Sequence, residues 1–164
     1  MIPRIWEIIG RVDNWVGLLA AGLTAAAAPH WWSAIFLILS LAFSRANAGA
    51  LGSTISSVVN RIAEVLWAVA FYRLGVSLTW VFAFASLAAF QEYAKARLAS
   101  SGIDWAGRLK QADRPIRAGF LFLAIFTYQF NPSHSGVTAI AIGLTLVQIL
   151  SFFLLLRYAF KQLH

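Results

Sequence analysis

Six apolar stretches, at residues 15–28, 31–43, 58–74, 76–89, 116–130 and 137–156, take up most of the 164-residue chain. The breaks between them fall at Pro29-His30, at Gly75, across residues 100–114 and at Asn131-Pro132-Ser133, where Gly, Pro and short polar residues interrupt a helix. Apolar residues make up 60% of the chain, against thirteen Lys or Arg and six Asp or Glu. A globule this small cannot hide so much apolar surface, since close to half of a soluble domain's exterior is polar. A soluble enzyme is ruled out on this reading. At about 20 residues per crossing the chain has room for about six spans, the shorter ones extended by small or polar residues so that side chains such as Arg45 reach the interface.

Residues 1–12 place Ile2, Ile5, Trp6, Ile9 and Val12 on one helical face and Arg4, Glu7 and Arg11 on the other, the pattern of a helix lying on a membrane surface. The rival reading is a secretory signal with Ala26-Ala27-Ala28 as its cleavage site. With the N-terminus inside, every Lys and Arg except Arg73 falls on one side, which the positive-inside rule makes cytoplasmic. The predicted fold is therefore all-α integral membrane: a short amphipathic surface helix at 1–12, then one domain of six transmembrane helices at 13–164, both termini cytoplasmic. Localisation follows as multi-pass, in the bacterial inner (plasma) membrane. The net charge of +7 reads as topology, not nucleic-acid binding, because no solvated domain combines basic and aromatic residues.

Within these spans some polar residues need another explanation. Gly52, Ser56, Asn60 and Glu64 recur every four residues along one helical face, and Arg61 lies three residues from Glu64, the spacing of an intrahelical ion pair. Small residues can also simply bring helices together, with Arg61–Glu64 a buried structural pair. Lys95 and Arg97 close one apolar helix, and Arg114 and Arg117 open the next. Four cations at two neighbouring helix ends suit either anionic lipid headgroups or a pocket for a phosphate group.

The pattern Gly52-x-x-x-Ser56-x-x-x-Asn60-Arg61-Ile62-Ala63-Glu64, then Tyr93-x-Lys95-x-Arg97, then Asp113-Arg114-Pro115-x-Arg117, resembles the CDP-alcohol phosphatidyltransferases, nearest the phosphatidylinositol-phosphate synthases of actinobacteria. The likeness covers roughly residues 40–120. It implies a six-helix membrane protein, usually a homodimer, that transfers a phosphatidyl group from CDP-diacylglycerol to an alcohol. The family motif is Asp-x-x-Asp-Gly-x-x-Ala-Arg, a short spacer, then Gly-x-x-x-Asp-x-x-x-Asp. Its aspartates hold two divalent metals, and the last one acts as general base. Here Gly52 matches the second glycine, Ser56 and Asn60 stand where the two following aspartates belong, and the first half of the motif is missing. Lys95, Arg97, Arg114 and Arg117 match family residues around the acceptor phosphate.

Those departures cost the chemistry. Hard divalent metals want several anionic oxygens, and a neutral amide cannot take up a proton near neutral pH. No acid occurs between Asp13 and Glu64. The predicted function is accordingly a catalytically degenerate phosphatidyltransferase-like protein without catalytic residues, metal or cofactor. It would serve as a non-enzymatic subunit of a membrane complex or a lipid-binding partner, with anionic lipids and other membrane subunits or a second copy as its partners. The alternative is an active phosphatidyltransferase using Glu64 and Glu92 with Mg²⁺ or Mn²⁺. A small transporter or channel built on Arg61 and Glu64 is a third class. His30, His134 and His164 are too scattered for a metal pair, and the chain has no cysteine.

Overall fold

The computed structural model describes residues 2–43, 50–102 and 113–163. Six helices follow in order: α1 (Ile2–Ala27), α2 (Trp32–Phe43), α3 (Ala50–Arg73), α4 (Leu78–Ser100), α5 (Asp113–Phe130) and α6 (His134–Leu163). The side chains of residues 2–13 and 50–56 lie outside the described set, as does Arg45. The amphipathic N-terminal stretch and the first apolar stretch share one continuous helix, α1.

Packing divides into two groups that meet in the middle. Helix α1 lies on α2 and α3, α6 lies on α4 and α5, and α3 touches both α4 and α5. The inward stripe of α3 is Ala63, Trp67, Ala70 and Phe71, spaced at three and four residues, and buried Leu74 extends it into the turn that follows. Ala118, Leu121 and Ile125 continue it on α5, and Val137, Ala141 and Leu144 on α6. Alternating alanine with large residues lets the backbones approach while Phe71 and Phe84, ring centroids 5.0 Å apart, fill the space between.

Two joints hold the ends. The break at Gly75 is a Schellman motif: Gly75 adopts φ 92°, its N–H donates to the Tyr72 carbonyl at 2.9 Å, and the Val76 N–H reaches back to Phe71 at 3.2 Å. Val76 is buried with Phe71, the apolar contact this motif favours. His134, at the start of α6, packs so closely on Gly75 that a Cβ there would overlap its ring. Arg73, the one cation assigned by charge to the opposite side, does a local job. Its Nη1 donates to the carbonyls of Ala25 and Ala26 at 2.9 and 2.5 Å, satisfying two acceptors that the end of α1 leaves free.

The expectation of six transmembrane helices is overturned. Among the described residues only His134–Lys161, 28 residues within α6, is long and apolar enough to cross a membrane. The apolar helices Asn14–Ala27 and Trp32–Phe43 are too short: the 12 residues of α2 reach about 18 Å against a hydrocarbon core of about 30 Å. Helices α3, α4 and α5 attain length only by including Asn60, Arg61, Glu64, Gln91, Glu92, Lys95, Arg114 and Arg117. The arrangement with both termini cytoplasmic rests on the six-span count and falls with it. The outer faces are nonetheless strongly apolar, with Leu19, Ile38, Val65, Phe82, Phe126 and Phe153 among many exposed large side chains.

Gly75→Ala should lower stability by about 1 kcal/mol through the left-handed backbone alone, and further by displacing His134. Adding His134→Ala should restore only the second part. Thermal melts of the purified protein in detergent separate the two, and a Gly75→Ala melt equal to the parent's would contradict the motif's role.

Candidate functional site

The polar residues that shorten the apolar helices gather in one place. Helix α3 brings Asn60, Arg61 and Glu64 on successive turns, the C-terminal half of α4 brings Gln91, Glu92 and Lys95, and the first turns of α5 bring Arg114 and Arg117. Buried charge is tolerated only when paired and hydrogen-bonded, so the network is best followed from its most buried cation, Arg117, which is 6% exposed.

Arg117 Nη1 lies 2.8 Å from Glu64 Oε1, and Nη2 donates to Gln91 Oε1 at 3.2 Å and lies 3.8 Å from Glu92. With its amide oriented to suit its neighbours, Gln148 of α6 accepts from Arg117 Nε at 3.3 Å and donates to the Phe84 carbonyl at 2.8 Å. Gln91 Nε2 donates to the backbone carbonyl of Gln148 at 2.5 Å. One guanidinium therefore ties together α3, α4, α5 and α6.

Both carboxylates are shared between cations. Glu64 Oε2 accepts from Arg61 Nη1 at 2.6 Å, and Arg61 Nη2 lies 3.0 Å from Glu92, which also meets Lys95 at 3.2 Å. The Asn60 carbonyl oxygen accepts from Arg114 Nη1 at 2.5 Å, and the Arg114 guanidinium lies 5.0 Å from the centre of the Trp67 ring. Burial lowers the Arg114 pKa to about 10, partly offset by Glu64 and deepened by Arg61 and Arg117. It remains a cation at neutral pH. Among the described residues, the cations Arg61, Lys95, Arg114 and Arg117 gather around the carboxylates of Glu64 and Glu92.

Of the residues singled out from sequence, Asn60, Arg61, Glu64, Lys95, Arg114 and Arg117 come together here. Arg97 does not: it is exposed, and its backbone carbonyl accepts from the hydroxyls of Ser100 and Ser101 at 2.7 and 3.1 Å. Gly52 and Ser56 lie in the first two turns of α3, and the Ser56 side chain falls outside the described residues. Sequence reasoning missed Gln91, Gln148 and Trp67, all buried. For Gln148 a signal existed, since an amide amid the apolar run of α6 implies a partner that satisfies it.

Beside the cluster lies a cavity of about 130 Å³ between α3, α4 and α6, walled by Trp67, Phe71, Phe84, Ala88 and Leu144, with Arg61, Glu64, Arg117 and Gln148 as its polar lining. A second cavity of about 160 Å³ borders the other side of Arg117 and Gln148, walled by Ile116, Val147, Leu150 and Leu154. Among the described residues, no three His, Asp or Glu side chains gather at metal-binding distance. No family model, curated protein or solved structure matches this chain.

Glu64→Gln should cost about 3 kcal/mol, because it leaves the buried Arg117 without its nearest carboxylate. Glu92→Gln, at a carboxylate 30% exposed, should stay within about 1 kcal/mol. Replacing Glu64 and Arg117 together by Met should recover most of the loss. Chemical denaturation of the three variants tests the assignment, which fails if the two single changes cost the same.

Proposed function

We propose that this chain is a non-enzymatic membrane protein, a catalytically degenerate relative of the CDP-alcohol phosphatidyltransferases that binds anionic lipid or packs as a subunit of a membrane complex. The observation that carries it is what Glu64, Glu92 and Asn60 already do. Both carboxylates are occupied by Arg61, Lys95 and Arg117, and the Asn60 oxygen is held by Arg114. A carboxylate clasped by two guanidinium groups is a poor ligand for a hard metal and a poor base toward an alcohol. The polar groups thus work as a structural clasp.

Membrane residence rests on α6, whose apolar stretch His134–Lys161 suffices for one crossing, and on the exposed apolar faces, which suit lipid or the helices of a partner. The family resemblance places that membrane as the bacterial plasma membrane. Lys95 and Arg114, at the ends of α4 and α5, supply the attraction for an anionic headgroup.

Purified protein supplied with CDP-diacylglycerol, an alcohol acceptor and Mg²⁺ or Mn²⁺ is expected to make no phospholipid above a protein-free control. Metal-dependent product that disappears in Glu64→Gln or Glu92→Gln would replace this reading with that of an active transferase. Gentle extraction from the native membrane should bring bound anionic lipid or a stable larger assembly with the chain.

A further inference from the structure

The cavity beside the cluster has more hydrogen-bonding capacity than the protein uses. Trp67 is 3% exposed, and its Nε1–H has no acceptor; Arg117 Nη1 and Glu64 Oε1 approach to 2.8 Å but lack hydrogen-bond alignment. A buried Trp67 N–H on the cavity wall, beside an ion pair whose facing atoms make no hydrogen bond, is costly unless something in the cavity accepts from it. We propose that this cavity binds a single-chain amphiphile with a carboxylate head, the head taken by Trp67 and Arg117 and the end of the chain lying among Phe71, Phe84 and Leu144.

Three features select that class. A cavity of about 130 Å³ is close to the size that takes one benzene ring, enough for the end of one hydrocarbon chain and too small for two. The head is anionic because, among the described residues, Arg61, Arg114 and Arg117 outnumber Glu64 and Glu92, and because Trp67 on the cavity wall offers a donor without an acceptor. It must also carry little charge, because Glu64 lines the same cavity and repels a dianion more than a monoanion. Glu64 stays compensated when Arg117 turns to the ligand, since Arg61 holds its other oxygen at 2.6 Å. The proposal stands whether or not the chain retains transferase chemistry.

The test uses the full chain in phosphatidylcholine nanodiscs titrated with 2-bromododecanoate, which carries its bromine beside the carboxylate, with tryptophan quenching and equilibrium dialysis as readouts. Saturable binding is expected, and Trp67→Phe should remove the largest single share of the quenching. Ala88→Leu, which fills the cavity from a buried position without removing a charge, should weaken binding at least tenfold while the melt stays within a few degrees of the parent's. Arg117→Gln should also weaken binding where it folds, with a lowered melt because Glu64 loses its buried partner. Equal binding of dodecyltrimethylammonium would overturn the proposal, as would dodecyl phosphate binding more tightly than the carboxylate. Unchanged affinity in Ala88→Leu, or no saturable binding, would overturn it too. Inorganic phosphate is expected not to displace the amphiphile, and displacement would show that the site reads a phosphate head without a chain.

Discussion

A buried guanidinium has to find both countercharge and acceptors, and around Arg117 this requirement organises four helices. Its three nitrogens are divided among Glu64 on α3, Gln91 on α4 and Gln148 on α6. Among the described residues, the other buried side chains on those helices are apolar except Thr145 of α6, which bonds within its own helix, so register along every helix is tied to one polar centre. Shifting any of them by a turn would strand a charge or an amide in an apolar surrounding, at a cost far above that of a lost van der Waals contact. The alanine-rich stripes below the cluster permit close approach, and the cluster selects among the packings they permit.

The same requirement ties stability to the chemistry open to the site. A family resemblance suggests a scaffold on which carboxylates hold metal, yet here each carboxylate is surrounded by protein cations. Asn60 is neutral and brings no charge that would draw a metal in, and the arginines find their partners in Glu64, Glu92 and Asn60. The cavity next to the cluster keeps the unsatisfied Trp67 N–H, which is where binding capacity remains.

Much of the helical layout was legible in the chain, because its signals are local. The breaks at Pro29, Gly75 and Pro132 lie between successive helices, and apolar runs located the bodies of α2 through α6. The placement of Asn60, Arg61 and Glu64 on one helix side also follows from spacing. What misled was the assumption that polar residues flanking each apolar run reach outward to an interface. In α3, α4 and α5 those flanks are helical and turn inward on one another, so the runs do not become crossings, and among the described residues α6 alone has the length and composition for one. Arg73 is a smaller instance: its position suggested an outlying topological charge, whereas its guanidinium closes the end of α1.

By itself the sequence determined that the chain is helical, that helices break at Pro29, Gly75 and Pro132, and that acids are fewer than bases, while it divided at residue 12 what is one continuous helix, α1. Helical periodicity and the chemistry of Pro and Gly act over a few residues, so they can be read along the chain. Tertiary structure alone decided which cation meets which carboxylate, that Gln91 and Gln148 complete the coordination of Arg117, and that a cavity with a free donor lies behind it. Those contacts join residues on different helices, and their geometry depends on how close the alanine stripes let the backbones come.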